Sequence, residues 1–145
     1  MIKIICVGKI KEKYLSDLIN DYKTRIGKYH RIEIIELKDS EINKESDEIL
    51  SQIKLTDYNI LLDINGEHFT SVKFSEFIQN TFNNSNGTIT FIVGGSNGVN
   101  DLVKEKVNKK ISFSDMTFPH GLFRGILLEQ IYRSFKILNN ESYHK

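Results

Sequence analysis

Short apolar segments alternate with segments of helical spacing along the whole chain, and this alternation limits the folds available to it. Five segments have strand character, at residues 2–7, 31–37, 59–64, 88–93 and about 110–114. In the segments between and after them, apolar residues recur at helical spacing, as Leu15, Leu18 and Ile26 do before Gly27. Strands that alternate with helices are typical of a mostly parallel sheet flanked by helices on both faces. The sequence therefore predicts an α/β fold.

Some details of the pattern are less regular. Residues 38–47 are polar and acidic, and we expect them to form a surface connection before a brief helix that contains Ile49. The Asn65-Gly66 pair is a strong turn signal, so the third strand is expected to end at Ile64. Ser71 is the expected cap of the next helix. The final helix is apolar over a broad surface, which predicts that it needs a substantial partner surface.

Length and composition indicate one domain over residues 1–145. Of the 145 residues, 39% are hydrophobic, and the chain contains no linker, repeat or low-complexity tract. The single cysteine, Cys6, excludes an internal disulfide and a cysteine-based metal cluster, and no histidine and carboxylate cluster has metal-ligand spacing. No segment approaches the roughly 18 apolar residues of a membrane span, and the chain opens directly into a strand pattern. We therefore expect a soluble, cytoplasmic protein with no metal and no membrane contact.

The net charge of +1 hides an uneven distribution. Residues 1–31 hold eight basic and three acidic side chains, residues 32–76 hold four and eleven, and residues 77–145 hold eight and five. The two basic ends favour an anionic partner such as RNA. The basic side chains that follow the first strand are Lys9, Lys11, Lys13, Lys23, Arg25, Lys28 and Arg31. The alternative, which this charge pattern alone favours, is a set of solvated lysines on an amphipathic helix.

Two loops near the carboxyl end are the most informative part of the sequence. The first contains Gly94, Gly95 and Gly98, whose missing Cβ atoms let a ligand approach the main chain closely. The second, residues 112–120, contains Pro119, the only proline in the chain. Both loops follow predicted strands, and the carboxyl ends of strands are where open α/β sheets bind ligands. We therefore predict one ligand pocket lined by both loops. The alternative is a pair of ordinary turns, because the glycines match neither the phosphate-binding loop nor the dinucleotide fingerprint.

Candidates for chemistry follow the second loop. His120 is a minor candidate for a proton acceptor, and its alternative role is to cap the start of a helix. Arg124 could hold a phosphate or a carboxylate, or it could form a surface ion pair. The tail, Tyr143-His144-Lys145, could stack on a base, take a proton and contact a phosphate, or it could be a frayed terminus. The residues alone leave these alternatives open.

Several separated matches, in the right order and nearly from end to end, show that the chain resembles the RlmH type of the SPOUT methyltransferases. Members of this family methylate a pseudouridine at N3 in large-subunit ribosomal RNA. The matching residues are 5–9, Lys13-Tyr14, 91–98, 112–120, Arg124, Glu129-Gln130, Tyr132-Arg133 and Tyr143-His144-Lys145.

The resemblance implies how the site would be built. It implies a SPOUT-type fold with a deep trefoil knot at the carboxyl end, and S-adenosylmethionine as the cofactor, bound by the loops of the knot. The cofactor-binding positions carried over are Leu62, Gly94, Gly95, Gly98, Phe113, Ser114, Asp115, Met116, Thr117 and Phe118. It also implies large-subunit ribosomal RNA within the ribosome as the substrate, and a homodimer in which one subunit's tail closes the other's pocket. The catalytic candidates are His144 as the proton acceptor, with Tyr143 and Arg124 as its orienting partners.

One departure from the family leaves other functions open. The connection between Leu37 and the helix around Leu50 is shorter than the family usually has, and it lacks the glutamate-glycine pair expected before that helix. The alternative is therefore a non-catalytic RNA-binding or ribosome-associated module that retains the fold. A generic nucleotide-binding α/β protein is a second alternative, which the missing phosphate loop disfavours.

Overall fold

Five strands and five helices alternate along the chain in the computed structural model, which describes residues 1–145. The strands are β1 (Ile2–Val7), β2 (Ile32–Leu37), β3 (Tyr58–His68), β4 (Ile89–Val93) and β5 (Lys109–Ser112). The helices are α1 (Lys13–Ile26), α2 (Ile42–Gln52), α3 (Ser71–Asn84), α4 (Asp101–Lys106) and α5 (His120–Leu138). None of the helices is long and apolar enough to span a membrane.

The strands form one sheet in the order β2-β1-β4-β3-β5, and every neighbouring pair is parallel. All residues of β1 and β4 are buried, because these strands lie inside the sheet and are covered on both faces. The predicted α/β fold with a parallel sheet between helices is thus confirmed. The trefoil knot that the resemblance implies stays a prediction.

Two apolar clusters lie on opposite faces of the sheet. The larger joins the sheet to α1, α3 and α5, and includes Ile4, Phe91 and Ile131. The smaller joins the other face to α2 and α4 through Ile5, Ile49 and similar side chains. The alternation along β1 follows from the period of a strand, which points successive side chains to opposite faces. The broad apolar surface of α5 is buried largely against α1 and α3 of the same chain, so that surface does not require a second subunit.

The prediction of a surface connection over residues 38–47 was wrong in its second half. α2 begins at Ile42, and the Glu41 carboxylate caps it by accepting hydrogen bonds from the amides of Asn43 and Lys44. Glu45, an acidic residue in the first turn, is buried. A buried acidic residue in a polar segment gives no apolar periodicity, so the pattern placed this helix too late.

The prediction that the third strand ends at Ile64 was also wrong. β3 runs through Asn65-Gly66 to His68 and pairs with β5, with a register break between Leu62 and Glu67. A Cβ on Gly66 would lie 2.6 Å from the Ile111 amide nitrogen, so the glycine permits close approach of the two strands. The next helix is capped by Thr70, whose hydroxyl accepts from the Lys73 amide.

We predict that His30 makes the stability of the fold depend on pH. Its ring stacks between Phe82 and Phe135, with centroids 4.4 and 5.1 Å away, and burial lowers the pKa of the imidazole from its ordinary 6.5. The unfolded chain binds the proton more readily than the folded chain does. The contribution of His30 to the free energy of unfolding is therefore complete above pH 6.5, and it is lost as the pH falls towards the lower folded-state pKa. Urea unfolding of His30→Phe should show a smaller loss of stability on acidification than the parent protein shows.

A matched control for this experiment is His68→Phe, because the His68 side chain is half exposed and faces only Asp115. This variant should lose as much stability on acidification as the parent protein does. An equal loss of stability in His30→Phe would assign the pH dependence to other groups.

Candidate functional site

A cleft of about 320 Å³ opens beside residues 61–64 of β3 and at the carboxyl ends of β4 and β5. Its volume is at the lower end of the range for small-molecule sites. All but one of the predicted cofactor-binding residues line it, namely Leu62, Gly94, Gly95, Gly98, Phe113, Ser114, Met116, Thr117 and Phe118. The exception is Asp115, whose carboxylate points to solvent and lies 3.3 Å from the His68 imidazole. The two predicted loops therefore do form one pocket.

The first loop folds back on itself. The Gly98 amide donates a hydrogen bond of 2.9 Å to the Gly95 carbonyl, and Gly98 has a φ of +75°, which favours glycine. A Cβ on Gly94 would lie 2.8 Å from Val99 Cγ1 and 3.1 Å from the Gly98 carbonyl oxygen. Gly94 is therefore needed to close the loop on itself, a different reason from the ligand approach that the sequence suggested.

The first turn of α2 supports this loop from behind. The Glu45 carboxylate accepts a hydrogen bond of 2.8 Å from the Ser40 amide, and a Cβ on Gly95 would lie 2.5 Å from its other oxygen. The Asn100 amide donates to Ser46 Oγ at 3.0 Å. Sequence reasoning missed these supporting residues because it treated their segment as a surface connection.

Aromatic packing fixes the second loop. The Phe113 ring packs against Phe74 and Phe123, at centroid distances of 5.6 and 5.5 Å, and Phe118 stacks on Phe123 at 6.1 Å. The amides of Thr117 and Phe118 donate no hydrogen bond within the chain. The loop thus combines a rigid apolar wall with main-chain donors that a ligand can use.

Three ionisable side chains of the cleft were outside the predicted cofactor set. Asp63 accepts a hydrogen bond from the Asn65 amide, while Lys104 makes no ion pair. The third is His120, whose Nε2 is hydrogen-bonded to the Val7 carbonyl. Asp63 lies next to Ile64, where the strand was predicted to end, so this position in the sequence was a usable signal. Lys104 lies on α4, and no pattern in the sequence indicated that it would line the cleft.

Arg124 lies next to this cleft but does not line it. Its guanidinium is almost fully buried and pairs with the Glu36 carboxylate at 2.5 Å, and it donates to the Gly8 carbonyl at 3.0 Å. Its Nε has no partner in the chain. The predicted ion pair therefore exists, but it is buried, and it anchors the start of α5 to the ends of β1 and β2.

The tail lies along α5 and is not frayed. The Tyr143 hydroxyl donates to the Glu129 carboxylate at 3.0 Å, and burial together with this bond and one to Tyr22 raises the pKa of the phenol. Arg133 Nη1 lies 3.1 Å from His144 Nδ1. Arg133 is about 13 Å along the helix axis from Arg124, at 1.5 Å per residue. Within one chain, the three predicted catalytic residues are therefore not all together, and none of them lines the cleft.

Comparison with known proteins identifies related chains. Residues 1–144 match a family model described as predicted SPOUT methyltransferase. A protein of Fusobacterium nucleatum named ribosomal RNA large subunit methyltransferase H is 49% identical, and one of the same name from Clostridium acetobutylicum is 45% identical. Each alignment covers 99% of both chains.

A solved structure has the same fold. The SpoU methyltransferase AviRb from Streptomyces viridochromogenes superposes with a TM-score of 0.52 at 8% sequence identity. The match covers 98% of this chain and 62% of that longer one. At this identity the likeness concerns the fold alone.

We predict that Gly94→Ala destabilises the chain by about 1–3 kcal/mol, because the added methyl group overpacks the loop against Val99. Val99→Ala removes the atom that it would meet, so the double variant should be more stable than the sum of the two single effects. Denaturant unfolding of all three variants measures this coupling.

Gly98→Ala is the matched control, since a Cβ at Gly98 meets no atom within 4 Å. It should lose about 1–2 kcal/mol through its positive φ and show no coupling to Val99→Ala. Additive effects at Gly94 and Val99 would contradict the proposed contact.

Proposed function

The chain belongs to the SPOUT methyltransferase family, and from that premise we propose that it transfers a methyl group from S-adenosylmethionine to N3 of a pseudouridine in large-subunit ribosomal RNA. The observation that carries the proposal is the cleft, which gathers nine of the ten residues expected to bind the cofactor beside the neighbouring strands β4, β3 and β5. Relatives named for methylation of this RNA match the chain from end to end, which supports the choice of substrate.

The chemistry of the cleft fits the proposed cofactor. Leu62 and Phe118 offer apolar walls to a purine ring, and the amides of Thr117 and Phe118 are free to bind its polar edge. S-adenosylmethionine supplies an electrophilic methyl group on a positively charged sulfur, and its amino acid end is a zwitterion. The cleft presents one carboxylate, Asp63, and one unpaired ammonium, Lys104, which match the charges of that end.

The acceptor nitrogen must meet two conditions. It must approach the methyl group in line, within about 3–3.5 Å, so positioning supplies much of the acceleration. It must also lose its proton, which is flanked by two carbonyl groups of the base. We propose that His144 contacts the edge of the base that carries this nitrogen and that Tyr143 holds the tail in place.

We propose that the active form is a homodimer. As long as Tyr143 is bound to Glu129, His144 lies far along α5 from its own cleft, so a second copy must deliver the tail. Met116 on the second loop and Leu122 at the start of α5 are exposed apolar side chains, and a partner subunit would cover them.

The lysines between β1 and α1 are the proposed contacts to RNA phosphates. Lys9, Lys11 and Lys13 are exposed, and the carbonyls that precede them bind His120 and Arg124 at the start of α5. This connection therefore lies beside the cleft.

The alternative, a non-catalytic RNA-binding or ribosome-associated module, would give the opposite result in an assay for methyl transfer. Its support was the shortened connection, but α2 forms within that segment and supports the first loop. Purified protein incubated with labelled S-adenosylmethionine and ribosomes that lack the modification should transfer the label. A binding module transfers none.

We predict that two inactive variants complement each other. His144→Ala should lower methylation about 100-fold while it retains affinity for S-adenosylhomocysteine, and Thr117→Trp should block the cleft. In a co-expressed mixture of the two chains, half of the dimers are mixed and each has one intact site, so activity should return to about a quarter of that of the parent. A mixture that stays as inactive as its components would show that each tail serves its own chain.

We predict that Lys9→Ala flattens the salt dependence of ribosome binding by about one unit of logarithmic slope. The effect of Lys13→Ala should be smaller, because Lys13 is paired with Asp17 at 2.7 Å. Lys73→Ala, on exposed α3 surface, is the matched control and should leave the slope unchanged. Equal slopes for Lys9→Ala and the parent would place the RNA contact elsewhere.

A further inference from the structure

We propose that Arg133 holds His144 in the tautomer that carries its proton on Nε2, so that His144 acts as a hydrogen-bond donor to a carbonyl of the base and not as the proton acceptor. The inference rests on the proposed function for its substrate. The tautomer itself is a property of the chain alone.

Arg133 is fixed from two sides. Its Nε and Nη2 donate to the Glu129 carboxylate at 3.0 and 2.6 Å, and its guanidinium lies 4.8 Å from the centroid of the Tyr143 ring. Glu129 also accepts from the Tyr143 hydroxyl and from Gln130. The remaining guanidinium nitrogen, Nη1, is directed at His144 Nδ1 at 3.1 Å.

The direction of this last hydrogen bond follows from the chemistry of the two groups. A guanidinium has only N–H donors and no acceptor, and it stays protonated in proteins. His144 Nδ1 must therefore accept, which requires a lone pair on that nitrogen. A neutral imidazole carries one N–H group, so the proton is on Nε2. Nε2 makes no hydrogen bond within the chain and is exposed for a partner.

This tautomer has no free lone pair with which to take a proton from the substrate. Nδ1 is occupied by Arg133, and Nε2 already carries hydrogen. His144 can instead donate from Nε2 to one of the two carbonyl oxygens beside N3, where negative charge gathers when N3 loses its proton. In this proposal His144 is a hydrogen-bond donor and not the proton acceptor.

The electrons and the proton balance without a further protein base. The N3–H bond breaks and its proton passes to solvent water. The freed electron pair of N3 forms the bond to the methyl carbon, and the carbon–sulfur bond breaks with its pair left on sulfur. Arg133 is a positioning residue in this scheme, because it acts only through the His144 ring.

The tautomer can be measured directly in the cofactor-free protein. Nitrogen NMR of histidine-labelled protein, with His144 assigned by its absence in His144→Gln, should show a protonated Nε2 and an unprotonated Nδ1. Arg133→Met should shift the ring towards a mixture of tautomers. Arg25→Met is the matched control, since that cation also lies over tyrosine rings but does not touch His144. A protonated Nδ1 in the parent protein would overturn the inference, whatever the substrate.

Methylation assays of three variants distinguish a hydrogen-bond donor at position 144 from a base at that position. Glutamine at position 144 places an amide N–H near the site of Nε2 and cannot serve as a base, whereas asparagine places it near Nδ1. We expect His144→Gln to keep at least about a tenth of the parent kcat, while His144→Asn and His144→Ala fall about 100-fold. Equal loss in all three would restore the role of base and overturn the inference. A parent protein that methylates no RNA would refute the proposed function instead, and the NMR result would remain valid.

Discussion

The buried guanidinium of Arg124 is the contact on which the geometry of the site depends. It joins α5 to the Glu36 carboxylate on β2 and to the carbonyl that follows β1. A buried charge that lost its partner would cost roughly 3–5 kcal/mol, so the start of α5 has one favourable position against the sheet. The second loop of the cleft leads directly into this helix, and the same ion pair therefore also determines where that loop ends.

α5 then separates the two halves of the proposed active site. Its 19 residues span about 28 Å, and it is packed against α1 and α3 along its length. The chain turns back after it, where Glu141 accepts hydrogen bonds from Tyr29 and Lys136 and Tyr143 binds Glu129. A rigid helix with a docked tail keeps His144 away from the cleft of its own chain. This geometry is the reason for proposing that one site is divided between two subunits.

The sequence predicted those parts of the structure that depend on local patterns. Strand and helix order, the parallel sheet and the meeting of two loops in one cleft all follow from periodicity and from glycine positions. β3 passed through a turn signal because its pairing with β5 outweighs the local preference of Asn65-Gly66. The burial of Arg124 depends on Glu36, which is 88 residues away in the sequence, and the docked tail depends on Tyr22 of α1 and on Tyr29, which follows that helix. Contacts of this kind leave no periodic signal, so no single sequence could have shown them.

The cleft and the tail, the two halves of the proposed site, use different chemistry, and this determines which substitutions each tolerates. The cleft is built from main-chain groups and closely packed loops, where even a methyl group at Gly94 meets atoms at 2.8 Å. It is therefore sensitive to volume. The tail is held by side-chain hydrogen bonds in which Arg133 donates to the Glu129 carboxylate and, in the proposed tautomer, to His144 Nδ1. The tail is therefore sensitive to the position of protons, because replacing a donor by an acceptor at one of these residues alters the tautomer of His144.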